Sequence, residues 1–133
     1  DQLNKQIKNL SKFMDFYNDD ECSVKNSKIK RINAHDFNSL YKINSNRILL
    51  IDVRENEEFS TSAIEGSISL PLSHLNQNPD LEFIQKESLI KEIFTICKTG
   101  KRSEKASKIL SKFKIQSRSI EGGIEKVKSL LSD

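Results

Sequence analysis

Positions 47–54, Arg-Ile-Leu-Leu-Ile-Asp-Val-Arg, hold the strongest strand pattern in the chain. Ile48, Leu49, Leu50 and Ile51 do not alternate polar with apolar, so a strand made from them has to be covered on both faces. That requirement points to an α/β fold: an open, mainly parallel sheet with helices on either side. The neighbouring segments agree. Residues 28–32 read as a short first strand, and Asn33 as the N-cap of a helix with Asp36 in its first turn that buries Phe37, Leu40 and Tyr41. A short strand over 68–72 is stopped by Pro71, a turn follows at 76–80, and a helix over about 81–91 leads into a strand that ends at Cys97. A helix over 103–113, a weakly patterned strand over 115–120 and a closing helix with Ile124, Val127, Leu130 and Leu131 inward complete the order. The succession β-α-β-β-α-β-α-β-α implies about five strands.

The second informative stretch is Ile93-Phe94-Thr95-Ile96-Cys97-Lys98-Thr99-Gly100-Lys101-Arg102-Ser103. Cys97 ends an apolar strand and faces a glycine turn that opens onto a helix, because Ala106, Ile109, Leu110 and Phe113 fall on one helical face. The first N–H groups of that helix have no intrahelical partners and its dipole favours negative charge, a setting for a thiolate. Between Lys98 and Arg118 there are eight basic residues and one acid, Glu104, against a net charge of +3 for the whole chain. Such an excess attracts an anionic substrate or an acidic protein. A lone cysteine at a strand end is more often a small buried hydrophobe than a catalyst, and the lysines can be simply a solvated helix face. Strand, cysteine, glycine turn, basic pair, capping serine and amphipathic helix in succession favour a nucleophile.

Cys97-Lys98-Thr99-Gly100-Lys101-Arg102-Ser103 resembles the rhodanese active-site loop, C-x-x-G-x-R-S. Asp52-Val53-Arg54-Glu55-Asn56-Glu57-Glu58-Phe59, followed by Ile64-Glu65-Gly66-Ser67-Ile68-Ser69-Leu70-Pro71-Leu72, is similar to the first flank of that family, D-V-R-x-x-x-E-[YF]-x-x-G-H-I-x-G-A-x-x-[IL]-P. Ser62-Ala63 stands where the pattern has Gly-His, and Ser67 where it has Ala. Glu121-Gly122-Gly123-Ile124 looks like the second flank, and the resemblance runs over roughly 28–131. It implies a rhodanese-like domain over 28–133, preceded by a helical extension or linker over 1–27 in which Leu3, Ile7, Leu10, Met14 and Tyr17 recur at helical spacing.

The resemblance also implies sulfurtransferase chemistry. Cys97 carries a persulfide, with no other cofactor and no metal. The loop N–H groups from Lys98 to Ser103 hold the anionic sulfur, and the Ser103 hydroxyl adds a bond. Lys98, Lys101 and Arg102 draw in an anionic donor, either thiosulfate or a cysteine-desulfurase persulfide. The acceptor is a small thiol or cyanide in stand-alone members. In members fused behind an E1-like adenylyltransferase domain it is a ubiquitin-like sulfur-carrier protein serving molybdopterin or thiolated tRNA. The start at Asp1 without Met, the helical tail and the acidic run Asn18-Asp19-Asp20-Glu21 suit the fused arrangement. Of the supporting residues, Arg54 is expected to pair with Glu57 or Glu58 and lock the following turn, and Asp52 to accept N–H bonds near the Cys97 loop.

Composition narrows the setting. No apolar run approaches the roughly 18–20 residues of a membrane span. Two cysteines, Cys22 and Cys97, make neither a disulfide framework nor a metal pattern, so a reducing, cytoplasmic location is the expectation. Cys22 reads as an incidental thiol, and His35 and His74 as surface residues without ligand partners. Neither nucleic acid nor membrane is expected as a partner. A cysteine phosphatase is disfavoured by spacing: four residues separate Cys97 from Arg102 where such loops have five, and Ser103 occupies the arginine position. A non-catalytic binding module of the same fold is the remaining alternative.

Overall fold

The computed structural model describes residues 29–77 and 79–131; the extension expected over 1–27, with Cys22, lies outside them. All five residues of Ile48–Asp52 (β2) are buried. Ile48 and Leu50 join one core, with Ala34, Phe37, Phe94, Ile120 and Val127, while Leu49 and Ile51 join a second, with Ile84, Cys97, Ala106 and Leu110. Period-two alternation along the strand thus supplies both layers at once.

The sheet has five strands in the order β1-β5-β4-β2-β3, all ladders parallel. They are Lys30–Asn33 (β1), β2, Ile68–Ser69 (β3), Glu92–Ile96 (β4) and Ser117–Glu121 (β5). Ala34–Asn44 (α1) and the C-terminal helix Gly123–Leu131 (α6) cover one face, and their side chains line the first core. The Asn33 carboxamide accepts the Asp36 N–H at 2.7 Å, the cap expected from the sequence. On the other face lie the one-turn helix Leu72–Leu75 (α3), Glu82–Glu87 (α4) and Lys101–Lys112 (α5).

Three elements differ from expectation. The helix expected over 81–91 stops at Glu87 and continues as turns, leaving Leu89 and Ile90 83% and 72% exposed. Their apolar character extended the sequence pattern, but only Leu81 and Ile84 reach the core. A short helix not anticipated, Asn56–Thr61 (α2), is set by a capping box: the Glu55 side chain bonds the N–H of Glu58, and the Glu58 carboxylate accepts the Glu55 N–H at 3.0 Å. His74 lies on α3 rather than in a loop, and is exposed. No helix among the described residues is long and apolar enough to cross a membrane.

Candidate active site

β2 and β4 are paired to their last residues, Asp52 opposite Ile96, and the Val53 N–H donates to the Ile96 carbonyl at 3.0 Å. Cys97 therefore leaves the sheet beside Val53, at the carboxyl ends of the strands, where open α/β sheets collect their ligands. Its side chain is fully buried. The sulfur faces backbone: Sγ accepts the Gly100 N–H at 3.0 Å and the Ser103 N–H at 3.3 Å. Gly100 is the N-cap of α5 and has φ +108°, a left-handed conformation that glycine adopts without strain. Having no side chain, it cannot cap the helix itself. Cys97 Sγ takes that place, accepting from the N-cap and the third helical residue. The expected ring of N–H donors from Lys98 to Ser103 thus has two members aimed at the sulfur.

Lys98, Thr99 and Lys101 lie exposed around the loop, and Arg102 is half-buried. The Ser103 hydroxyl does not reach the sulfur. It donates to the Gly100 carbonyl at 3.0 Å and meets the Ser119 hydroxyl at 2.7 Å, both buried. Ser103 is on the inward face of α5, and its N–H, not its Oγ, points back along the helix axis to Cys97.

The supporting pair is also rearranged. Arg54 does not bind Glu57 or Glu58. Its Nε and Nη2 bond the Asp52 carboxylate at 3.0 and 2.8 Å, and the Arg54 N–H adds a third bond to Oδ1 at 3.0 Å. Both side chains are buried, 7% and 0% exposed, so each neutralises the other out of water. The Asp52 hydrogen bond is the main cause that raises the Arg54 pKa. Arg54 Nη2 also donates to the Ser62 carbonyl, and Lys128 Nζ to the Ser62 hydroxyl. With its acceptor oxygens turned to Arg54, Asp52 braces the turn after β2 instead of receiving N–H groups from the Cys97 loop.

Glu58 goes elsewhere. Its carboxylate binds Arg102 in a two-pronged contact, Nη1–Oε1 2.8 Å and Nη2–Oε2 3.2 Å. The Arg102 hydrogen bonds hold the Glu58 pKa down to about 2. The guanidinium is raised in turn, first by Glu58, with a further contribution from the Cys97 sulfur. The sequence offers Glu58 as a partner of Arg54, not of Arg102, and its place three residues after Glu55 marks a capping box.

Two further supports were missed. Thr95 Oγ1 donates to the Ser103 carbonyl and meets Ser107 Oγ, both at 3.0 Å, and Ser117 Oγ donates to Ser107 Oγ at 2.7 Å. Together with the Ser103–Ser119 contact, these hydroxyls fasten the start of α5 to β4 and β5. The signal was Ser103 and Ser107 four apart on the face with Ala106 and Leu110, opposite Ser117 and Ser119 two apart on β5. On the other side of the loop, the Ile124 N–H donates to the Cys97 carbonyl at 2.9 Å. A Cβ on Gly123 would fall 1.8 Å from the Lys98 carbonyl oxygen, so only glycine allows this approach.

Comparison with known proteins gives a consistent result. The rhodanese-like domain matches residues 36–130. A protein of Schizosaccharomyces pombe named as a putative mitochondrial thiosulfate sulfurtransferase is 33% identical over 97 residues, covering 63% of this chain and 68% of the relative. An adenylyltransferase and sulfurtransferase, UBA4, of Yarrowia lipolytica is 32% identical over 83 residues, which are 62% of this chain but 20% of that protein. The crystal structure of a rhodanese-related protein from Thermoplasma volcanium superposes with a TM-score of 0.58 at 30% identity, covering 75% of this chain and 91% of that one.

Proposed function

The chain belongs to the rhodanese-like domain family, and on that footing we propose that Cys97 is the nucleophile of its sulfurtransferase chemistry. The observation that carries this reading is the Cys97 sulfur held by the N–H groups of Gly100 and Ser103 at the start of a twelve-residue helix. Backbone donors fixed in this way stabilise negative charge on sulfur as an oxyanion hole does on oxygen. In the first step the Cys97 thiolate attacks the outer sulfur of thiosulfate. A Cys97 S–S bond forms, the S–S bond of the donor breaks, and sulfite leaves with the electron pair. In the second step an acceptor thiolate attacks the outer sulfur of the Cys97 persulfide, and Cys97 departs as thiolate. Charge and electrons balance in both steps, so neither requires a redox partner, a metal or any cofactor beyond the persulfide itself.

Lys98, Lys101 and Thr99 form the rim that a donor crosses, and Arg102 contributes a charge already half-committed to Glu58. This engagement argues against phosphate-ester hydrolysis, which needs a free guanidinium closing over a phosphoryl group. For the acceptor we favour a protein, a sulfur carrier activated by an adenylyltransferase, because part of UBA4 aligns with this chain. There the outer sulfur of the Cys97 persulfide attacks the acyl-adenylate carbon and AMP leaves; a second thiolate then attacks Cys97 Sγ, releasing the thiocarboxylate and leaving Cys97 in a mixed disulfide. A persulfide donor from a cysteine desulfurase would serve in place of thiosulfate. A reducing compartment keeps Cys97 available, and either the cytoplasm or the mitochondrial matrix provides one.

Intact-mass analysis after incubation with thiosulfate tests the reading. The expected result is a gain of one sulfur on the peptide containing Cys97. Cys97→Ala abolishes the gain and Cys22→Ala leaves it. Equal loss in both variants, or no gain in the native chain, sinks the assignment.

A further inference from the structure

Helix α5 buries Ser103, Ala106, Ser107 and Leu110 and turns its other side to solvent. Lys101, Lys105, Lys108 and Lys112 are all exposed on that side, at spacings of four, three and four residues, which align them as one stripe about 16 Å long. Lys98, exposed in the Cys97 loop, extends the stripe to the mouth of the site. Among the described residues none of these five lysines makes an ion pair. The one acid of the stretch, Glu104, is paired with Arg31 of β1 at 2.7 Å and reaches Lys108 only through space, so the stripe keeps a large excess of positive charge.

Stability alone does not favour this placement. Lys101 lies in the first turn of α5, where the helix dipole disfavours cations, and Lys101–Lys105 and Lys108–Lys112 are like-charge pairs four residues apart. The charge is therefore turned outward, beside a sulfur that has to meet a second molecule.

Resting on the sulfur-transfer reading above, we propose that this ridge is the docking surface for an acidic protein partner that exchanges sulfur with Cys97. A partner presenting carboxylates along α5 is guided so that its reacting end arrives over the Cys97 loop. Point charges on flexible stems accelerate encounter and permit quick release, as a carrier loaded once per cycle requires. Nucleic acid fits less well. The ridge is made of lysine, without the arginine forks that grip phosphate, and α5 has no aromatic residue on which bases stack.

The test uses the full chain loaded with sulfur and two thiol peptides of equal length, one with a Gly-Ser body and one with a Glu-rich body. At low salt kcat/KM for the Glu-rich acceptor is expected to exceed that for the neutral one by about tenfold. The ratio falls toward about one in roughly 0.5 M salt, where screening acts within a few ångströms. Lys105→Glu/Lys108→Glu/Lys112→Glu inverts the preference, and the salt titration on the native chain decides the matter should that variant not fold. Fluorescence anisotropy of the Glu-rich peptide with its cysteine replaced by serine, compared with oligo(U) of equal charge, reads binding without sulfur chemistry. Equal rates with both peptides at low salt overturn the proposal, as does tighter binding of oligo(U). If Cys97 takes no sulfur the transfer reading fails, and the anisotropy still decides the ridge.

Discussion

The carbonyl of Lys98 and the backbone of Gly123 are in contact across the Cys97 loop, and Gly123 holds φ +79°. Gly123→Ala would add strain at that dihedral to a collision with backbone that has no room to give. We expect a loss on the order of 3 kcal/mol in urea unfolding and a slower gain of sulfur by Cys97, since the displaced atoms adjoin it. Loss of stability without any change in loading rate would show that the loop accommodates the methyl group away from the sulfur. A glycine turn was legible at 122–123 from the doublet itself; its contact with Lys98, 25 positions back, was not. The same limit explains Arg54. Local spacing offered Glu57 and Glu58 as partners, yet Glu58 is claimed by Arg102 from 44 positions away, and Arg54 folds onto Asp52 behind it. Cys97 and its loop could be read because strand end, glycine and helix start are contiguous in the chain.

Helix α5 depends on its neighbours for its first turn. Since Cys97 Sγ accepts N–H groups that Gly100 cannot satisfy, removing the sulfur has a structural cost separate from the chemistry. Cys97→Ala is expected to lower stability by about 1 kcal/mol, and Cys97→Ser by less, because a hydroxyl can still accept. Urea midpoints of the two variants measure the difference; a Cys97→Ala chain as stable as the native one would mean that the sulfur does not cap the helix. The strand after α5 had looked weak in the sequence on account of Ser117 and Ser119. Those serines are part of what binds it, pairing with Ser107 and Ser103 across the α5 interface. Hydroxyls that satisfy one another inside a fold carry no hydrophobic period, so a pattern search passes over them. Helix α2, six residues long, was too short to show a period at all.

The double-layered architecture follows from β2 and was legible for that reason: a strand apolar on both sides leaves few ways to cover it. How α2 meets α5 was not, because that junction is one ion pair. The Glu58–Arg102 contact ties the turn after β2 to the helix after β4, and its pH dependence has a definite sign. Glu58 holds its charge down to about pH 2 in the folded chain, whereas an unfolded glutamate protonates near about 4.3. The contribution is fully present above that higher value and fades as pH falls toward 2. Both side chains are about one-third exposed, so solvent limits it to on the order of 1 kcal/mol. Glu58→Gln should lower stability by that amount at neutral pH and converge with the native chain near pH 2. A constant gap across the range, followed by chemical denaturation, would place the effect outside this carboxylate.

Because all five strands run the same way, the molecule has a floor and a roof. Cys97 is on the roof. The backbone enters the sheet at Lys30 on the floor, and α6 starts at Gly123 beside the Cys97 loop and carries the chain back down to Leu131. The entry of β1 thus lies at the opposite edge of the sheet from Cys97, about 17 Å away for a five-residue strand. A molecule that reacts with Cys97 has to come to the carboxyl edge, across the whole width of the sheet from the point where β1 begins.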